Sequence, residues 1–97
     1  MEYQIRRYQI APGEMHRFVE LWQGGVVPLR ESLGFSIHGA WMIEDSNEFL
    51  WIIGYEGPEG LAPANESYYS SEERKSMSPN PAQYILSGNH DMARRVL

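Results

Sequence analysis

The chain contains 97 residues, carries a net charge of −5 and has no cysteine. This length fits a single domain covering residues 1–97. The acidic balance offers no footprint for nucleic acid, and the lack of cysteine excludes disulfides, thiolate metal sites and thiolate nucleophiles. The longest apolar run, Phe49–Ile53, is too short to cross a membrane. Because the first residues do not resemble a secretory signal, we expect a cytoplasmic protein.

The first two predicted elements are a strand and a long helix. Glu2–Ile10 is rich in β-branched and aromatic residues, and its alternation places Arg6 and Tyr8 on one face. An amphipathic helix follows, in which a Gly-Gly pair and a proline predict a kink or break near residues 24–28. Arg30 falls off its apolar stripe. The stripe consists of Met15, Phe18, Trp22, Val26, Leu29 and Leu33.

The next two strands are predicted to form a hairpin. Residues 35–43 alternate so that Trp41 falls on one face, while His38 and Met42 fall on the other. A polar connection of four residues suits the hairpin turn. Glu48–Glu56 is apolar on both faces, which is typical of a central strand that is covered on both sides.

The C-terminal part is predicted to form a weak helix and a last strand. The helix covers Ala64–Met77, with Asn65 as a candidate N-cap. A proline-rich break follows, a turn is expected at residues 88–91, and Met92–Leu97 is the last strand. The order strand, helix, strand, strand, helix, strand predicts an α+β fold of the ferredoxin-like βαββαβ type, with a four-stranded antiparallel sheet.

One face of such a sheet lacks a cover within the chain, because right-handed crossovers place both helices on the same side. The second and third strands nevertheless carry apolar residues on both faces. An exposed apolar sheet face marks an interaction surface. A second copy of the sheet, related by a two-fold axis, would cover it. We therefore expect a homodimer joined through sheet faces, which would form a dimeric α/β barrel.

Several short motifs, which together span nearly the whole chain, resemble those of the NIPSNAP family. They are Tyr3–Tyr8, Ala11–Gly13, Pro28–Leu29 before Gly34, Gly39–Trp41 and Ile53–Glu56. The resemblance implies the dimeric α/β barrel fold and an activity that is mostly unassigned. It also implies that the arginine and tyrosine at positions 6 and 8 belong to the family pattern. The wider dimeric-barrel group includes cofactor-free monooxygenases of aromatic polyketides, haem-degrading enzymes and isomerases.

Three residues are candidates for catalysis. His38 could act as a general base or as a haem ligand, because imidazole titrates near neutral pH. Arg6 could bind an anionic or enolate oxygen, and Tyr8 could donate a proton or orient a substrate. The alternative for His38 is a buried histidine satisfied by a neighbour or one on an exposed edge, and for Arg6 and Tyr8 it is an intersubunit salt bridge and a packed ring. We expect the three to line one cavity per subunit, between the sheet and its partner sheet.

The predicted substrate-binding residues lie on the second and third strands. Trp51 and Tyr55 could stack on a flat aromatic ligand, although such a row more often belongs to the core. Gly54 has no side chain and should leave space at its level of the sheet. Met42 completes the set. No metal site is predicted, and no cofactor is expected other than haem as one candidate.

Two functions are compatible with the sequence. The first is a cofactor-free or haem-using enzyme, monooxygenase-like or isomerase-like, that acts on a hydrophobic and aromatic small molecule in the barrel cavity. The second is a non-catalytic module that binds a small molecule or a protein. The sequence lacks the phosphate-loop, dinucleotide, serine-hydrolase and zinc-protease motifs. A water-accessible cavity beside Arg6, Tyr8 and His38 would favour the enzyme.

Overall fold

The computed structural model describes the whole chain, residues 1–97. The strands are β1 (Glu2–Ile10), β2 (Ser36–Ile43), β3 (Glu48–Tyr55) and β4 (Ile85–Ala93). The helices are α1 (Met15–Leu21), α2 (Val27–Ser32), α3 (Leu61–Ser70) and α4 (Glu72–Lys75), with a π-helical segment at Trp22–Val26 and a 3-10 turn at Pro81–Tyr84. None of the helices is long and apolar enough to span a membrane.

The four strands form one antiparallel sheet with the order β2-β3-β1-β4, which confirms the predicted α+β ferredoxin-like fold. The helices pack on one face of this sheet, and the core lies between them. Phe49, Trp51 and Ile53 of β3 are buried on this helix-covered face. The opposite face, called here the open face, carries the half-buried side chains of Ile5 and Ile52.

The predicted break in the first helix is a π-helical segment, and the helix continues through it. The N–H of Val27 bonds the carbonyl of Trp22, five residues earlier, so this turn holds an extra residue. Pro28 follows at once, and its missing N–H fits such a change in hydrogen-bond register. One extra residue rotates the rest of the helix by about 100°. Arg30, rather than Leu29, therefore turns towards the sheet.

The buried positions of this helix follow at steps of four residues. They are Phe18, Trp22, Val26 and Arg30. The predicted stripe is thus confirmed for its buried aromatic and valine positions, whereas Leu33 is 39 % exposed. The prediction that Arg30 lies off the buried stripe is wrong, since this side chain is 0 % exposed.

Truncating the centre of this stripe should destabilise the protein strongly. Trp22 is 6 % exposed, and its ring centroid lies 5.0 Å from that of Phe49. We expect Trp22→Ala to lower the free energy of unfolding by about 3–5 kcal/mol, as is usual for a truncated core aromatic. Leu33→Ala on the exposed end of the helix is the control, with an expected change below about 1 kcal/mol. Urea unfolding of both variants measures the difference, and equal effects would contradict the packing described here.

A β-bulge at His38 changes the alternation of β2. The pairing with β3 passes directly from Ile37 to Gly39, so His38 is an extra residue in the strand. Beyond the bulge, Trp41 pairs with Leu50 and lies on the open face, where it is 52 % exposed. The predicted placement of His38 and Trp41 on opposite faces is therefore wrong, because the bulge shifts the alternation by one residue.

The two C-terminal elements differ from their predictions. The last strand covers Ile85–Ala93 rather than Met92–Leu97, and the expected turn at residues 88–91 lies inside it. This strand is at the sheet edge and pairs only with β1, a position in which polar residues are well tolerated. In place of the single helix predicted over Ala64–Met77, the structure has two shorter helices, α3 and α4, and α3 begins at Leu61. Asn65 consequently lies inside α3 and is not its cap.

Candidate functional site

Two arginines are buried between the sheet and the helices without a carboxylate partner. Arg6 of β1 and Arg30 of α2 are each 0 % exposed. The two ion pairs of the protein involve other arginines, at positions 7 and 17. A buried cation without a counter-ion costs free energy. This arrangement therefore does not serve stability.

Neutral side chains hold the two guanidinium groups. Arg6 donates from Nη1 to the hydroxyl oxygens of Tyr8, at 3.1 Å, and of Tyr69, at 2.9 Å. It also donates from Nη2 to Oδ1 of Asn65, at 3.1 Å. The same oxygen accepts a hydrogen bond of 2.8 Å from Nη1 of Arg30. Asn65 thus joins a strand arginine to a helix arginine while supplying no charge.

Aromatic rings form the walls of this cluster. The guanidinium carbon of Arg30 lies 3.7 Å from the ring centroid of Tyr68 and 4.7 Å from that of Phe35. A third cation, Arg74 of α4, lies 5.5 Å from the ring centroid of Tyr69. Tyr69 is 42 % exposed although its hydroxyl reaches Arg6, so it lies at the rim of the cluster. Cation–π contacts of this kind offset part of the cost of burying the charges.

The cluster lines a cavity of about 70 Å³, called here the arginine cavity. Every buried side-chain nitrogen or oxygen of the protein that lacks a hydrogen-bond partner belongs to a residue lining this cavity. These atoms are Trp22 Nε1, Trp51 Nε1, Arg30 Nε, Arg74 Nε and the Tyr68 hydroxyl oxygen. An unsatisfied buried polar group costs about 1–3 kcal/mol and is rare in native proteins. Their grouping in residues around one cavity points to a site for a hydrogen-bond acceptor.

The pKa shifts of Arg30 and Tyr69 indicate a local excess of positive charge, whereas for Arg6 the effect of burial is outweighed by Tyr8 and Tyr69, which raise its pKa. Burial, together with the neighbouring charge of Arg6, lowers the pKa of Arg30 to about 10. Burial disfavours the ionised form of Tyr69, but Arg6, Arg30 and Arg74 outweigh it, and the pKa of the Tyr69 hydroxyl is lowered. Both effects would be relieved by an anion placed among the guanidinium groups.

The structure brings Arg6 and Tyr8 together and places His38 elsewhere. Arg6 and Tyr8 line the arginine cavity on the helix-covered face. His38 is exposed on the open face, where its Nε2 lies 2.8 Å from the hydroxyl of Ser36 and its ring meets that of Tyr3 edge-on at 5.0 Å. The prediction that the three line one cavity between paired sheets is therefore wrong. The alternation of β1 turns Arg6 and Tyr8 towards the helices, whereas His38 lies on the opposite face of the sheet.

Among the predicted substrate-binding residues, Trp51 lines the arginine cavity and the others do not. Tyr55 packs on a phenylalanine, with 5.0 Å between the ring centroids. Met42 is 43 % exposed near the end of β2. A Cβ atom on Gly54 would lie 2.7 Å from Nε2 of His38. The space predicted at Gly54 is therefore filled by a neighbouring side chain.

Four residues of the cluster escape the sequence patterns. Arg30 is predicted to lie off the apolar stripe, Asn65 is predicted as a helix cap, and Tyr69 and Arg74 belong to the helix predicted to be weak. The one available signal is the Gly-Gly pair followed by proline at residues 24–28, since these residues allow the π-helical turn that rotates Arg30 inwards.

The fold and the site together define a small α+β domain in which one face of a four-stranded antiparallel sheet and its helices enclose a basic, aromatic-walled cavity. A model of the NIPSNAP family matches residues 3–95. The chain therefore belongs to the NIPSNAP family. No functionally curated protein gives a significant match.

Solved structures share the fold at low sequence identity. A NIPSNAP domain protein from Burkholderia xenovorans superposes with a TM-score of 0.84 at 15 % identity, covering 99 % of this chain and 95 % of that one. A NIPSNAP family protein of unknown function from Agrobacterium tumefaciens gives 0.82 at 17 % identity, covering 96 % and 86 %. A putative antibiotic biosynthesis monooxygenase from Nitrosomonas europaea gives 0.71 at 9 % identity, covering 100 % of both chains. These similarities establish the fold alone.

Proposed function

We propose that this protein binds a small organic molecule in the arginine cavity, through a hydrogen-bond acceptor on that molecule. The observation that carries the proposal is that five residues lining one cavity each hold a buried polar atom without a hydrogen-bond partner. Ligand sites generally combine apolar and aromatic walls with a few convergent polar groups. The cavity has this make-up, with Trp22, Trp51 and Tyr68 among its walls.

The composition of the cavity favours binding over acid–base catalysis. Its lining includes three arginines, two tryptophans and three tyrosines, but no carboxylate and no imidazole. General acid–base catalysis at neutral pH requires a group that titrates near that pH. His38, the predicted base, lies on the opposite face of the sheet. The structure thus supports the second of the two functions weighed from the sequence, the non-catalytic small-molecule-binding module.

Haem does not fit this cavity. A space of about 70 Å³ is far too small for a porphyrin, and no histidine lines it. His38 is exposed and hydrogen-bonded to Ser36 on the open face. The residues present therefore give no support to haem as a cofactor at this site.

Native mass spectrometry tests the binding proposal. The protein is purified without denaturation and incubated with a metabolite extract of the cells that produce it. It should then carry a small-molecule adduct that is lost on acid denaturation. Val26→Phe fills the cavity from the helix side and should reduce the adduct, whereas Val19→Phe, on a half-buried position outside the lining, should not. An unliganded mass under all these conditions, or an adduct insensitive to Val26→Phe, would contradict the proposal.

We also propose that the open face pairs with the same face of a second copy. Trp41 is 52 % exposed there and lies beside the half-buried Leu50 and Ile52. Sedimentation at micromolar concentration should give twice the monomer mass. Trp41→Lys should shift the protein towards the monomer, whereas Leu33→Lys, at the exposed C-terminal end of α2, should not. A wild-type monomer that unfolds cooperatively would contradict the dimer.

A further inference from the structure

We propose that the arginine cavity accepts the carboxylate head of a small organic acid; this inference rests on the binding function proposed above and specifies its ligand class. The cavity brings together the guanidinium groups of Arg6, Arg30 and Arg74. Arg6 and Arg30 are 0 % exposed, and no carboxylate of the protein pairs with either. A ligand must therefore bring the negative charge that the protein does not supply.

The hydrogen-bonding pattern calls for a group that only accepts. Nε of Arg30, Nε of Arg74 and the two indole nitrogens can only donate. The Oδ1 atom of Asn65, the nearest acceptor, is already shared by both buried arginines. An ionised carboxylate has acceptor sites alone, whereas a neutral amide or alcohol would present a donor to other donors. A neutral ketone or ester also only accepts but brings no charge to offset Arg6 and Arg30, so the carboxylate is the group that meets both requirements.

The size of the cavity limits the buried part of the ligand. About 70 Å³ is well below the roughly 300–1,000 Å³ of pockets that enclose a whole drug-sized ligand. A planar carboxylate with its first carbon atoms can enter such a space, and its planar fork matches the planar guanidinium fork. Tyr69, which is 42 % exposed at the rim, marks the side on which a longer organic body would leave the cavity. We therefore assign the cavity to the head group of the ligand and not to its whole length.

Calorimetric titration with acetate, acetamide and inorganic phosphate tests the ligand class. Acetate and acetamide have the same shape and differ in charge, and hydrogen bonds to charged groups are about twice as strong as neutral ones. We expect acetate to bind at least about tenfold more tightly than acetamide. Equal binding of the two would overturn the carboxylate inference while leaving the binding function in place. Tighter binding of phosphate than of acetate would overturn it in favour of a tetrahedral anion.

Two variants connect the binding to the cavity. Arg30→Met removes one buried charge and should weaken acetate at least about tenfold, with the acetamide affinity little changed. Arg17→Met, on an exposed arginine of α1, should leave the acetate affinity within about twofold of the wild type. Absence of acetate binding to the wild type, with a small-molecule adduct still seen by native mass spectrometry, would overturn the carboxylate inference alone. Absence of both would overturn the binding function as well.

Discussion

Asn65→Asp is expected to raise the free energy of unfolding by about 2 kcal/mol at pH 7, the usual worth of a carboxylate paired with arginine. The substitution preserves the shape of the side chain and keeps an acceptor within reach of both buried arginines, whose hydrogen bonds to Oδ1 measure 3.1 Å from Arg6 and 2.8 Å from Arg30. It replaces a neutral acceptor by a charged one. The same change should weaken acetate binding at least about tenfold, because the protein would then carry its own counter-ion.

The pH dependence of this gain has a defined sign. The guanidinium groups should hold the pKa of the introduced carboxyl below its unfolded value of about 3.9. The added stability should therefore be complete above about pH 5 and should disappear as the pH falls through the lowered pKa. Asn89→Asp, on the exposed edge strand, is the control and should change stability by less than about 0.5 kcal/mol. Unfolding curves at pH 7 and pH 3 measure both variants, and an Asn65→Asp protein no more stable than wild type at pH 7 would refute the argument.

Arg30→Met is expected to stabilise the unliganded protein by about 2 kcal/mol, within the range seen when buried charges are replaced by apolar residues of similar size. Burial and the charge of Arg6 already lower the pKa of Arg30 to about 10, which indicates that the folded state disfavours this cation. Methionine is flexible enough to fill the space against Tyr68. Arg6 would keep its hydrogen bonds to Tyr8, Tyr69 and Asn65.

The stability gain and the binding loss of Arg30→Met must occur together. Retention of a destabilising buried charge makes sense where a ligand uses that charge, which is the usual conflict between stability and function. Arg30→Lys separates charge from shape, since it keeps the cation but loses the planar fork, and it should bind acetate with intermediate affinity. Thermal unfolding and calorimetry of the two variants measure this. A loss of more than about 1 kcal/mol in Arg30→Met would show that Arg30 supports the fold.

The sequence patterns recover the sheet and the aromatic core for clear physical reasons. Strand β1 is confirmed over Glu2–Ile10, where β-branched and aromatic residues indicate a strand, and β3 is confirmed as a central strand, as its continuous apolarity indicates. The helix stripe is confirmed as far as Val26. Beyond that point the pattern assumes an unbroken α-helical period, and the π-helical turn invalidates it.

The candidate site depends on two backbone irregularities that the helical and strand repeats of apolar residues do not predict. One extra residue in the first helix turns Arg30 inwards, and one extra residue in β2 moves Trp41 to the open face, where His38 also lies. Asparagine is a residue type typical of helix caps, but Asn65 lies inside α3 and accepts a hydrogen bond from Arg30. Charged and amide residues normally lie at the surface. Only their tertiary positions show that two arginines and an asparagine meet in the interior.

The indole N–H groups of the three tryptophans provide the most direct test of acceptor binding in the arginine cavity. Trp22 and Trp51 line the cavity with unsatisfied Nε1 atoms, whereas Trp41 is 52 % exposed on the opposite face of the sheet. In a proton–nitrogen correlation spectrum of the 15N-labelled protein, we expect acetate to shift the indole signals of Trp22 and Trp51 in a saturable manner and to leave that of Trp41 in place. Trp22→Phe and Trp51→Phe assign the signals. Stationary signals for both buried indoles, or an equal shift of all three, would contradict a binding site between the sheet and the helices.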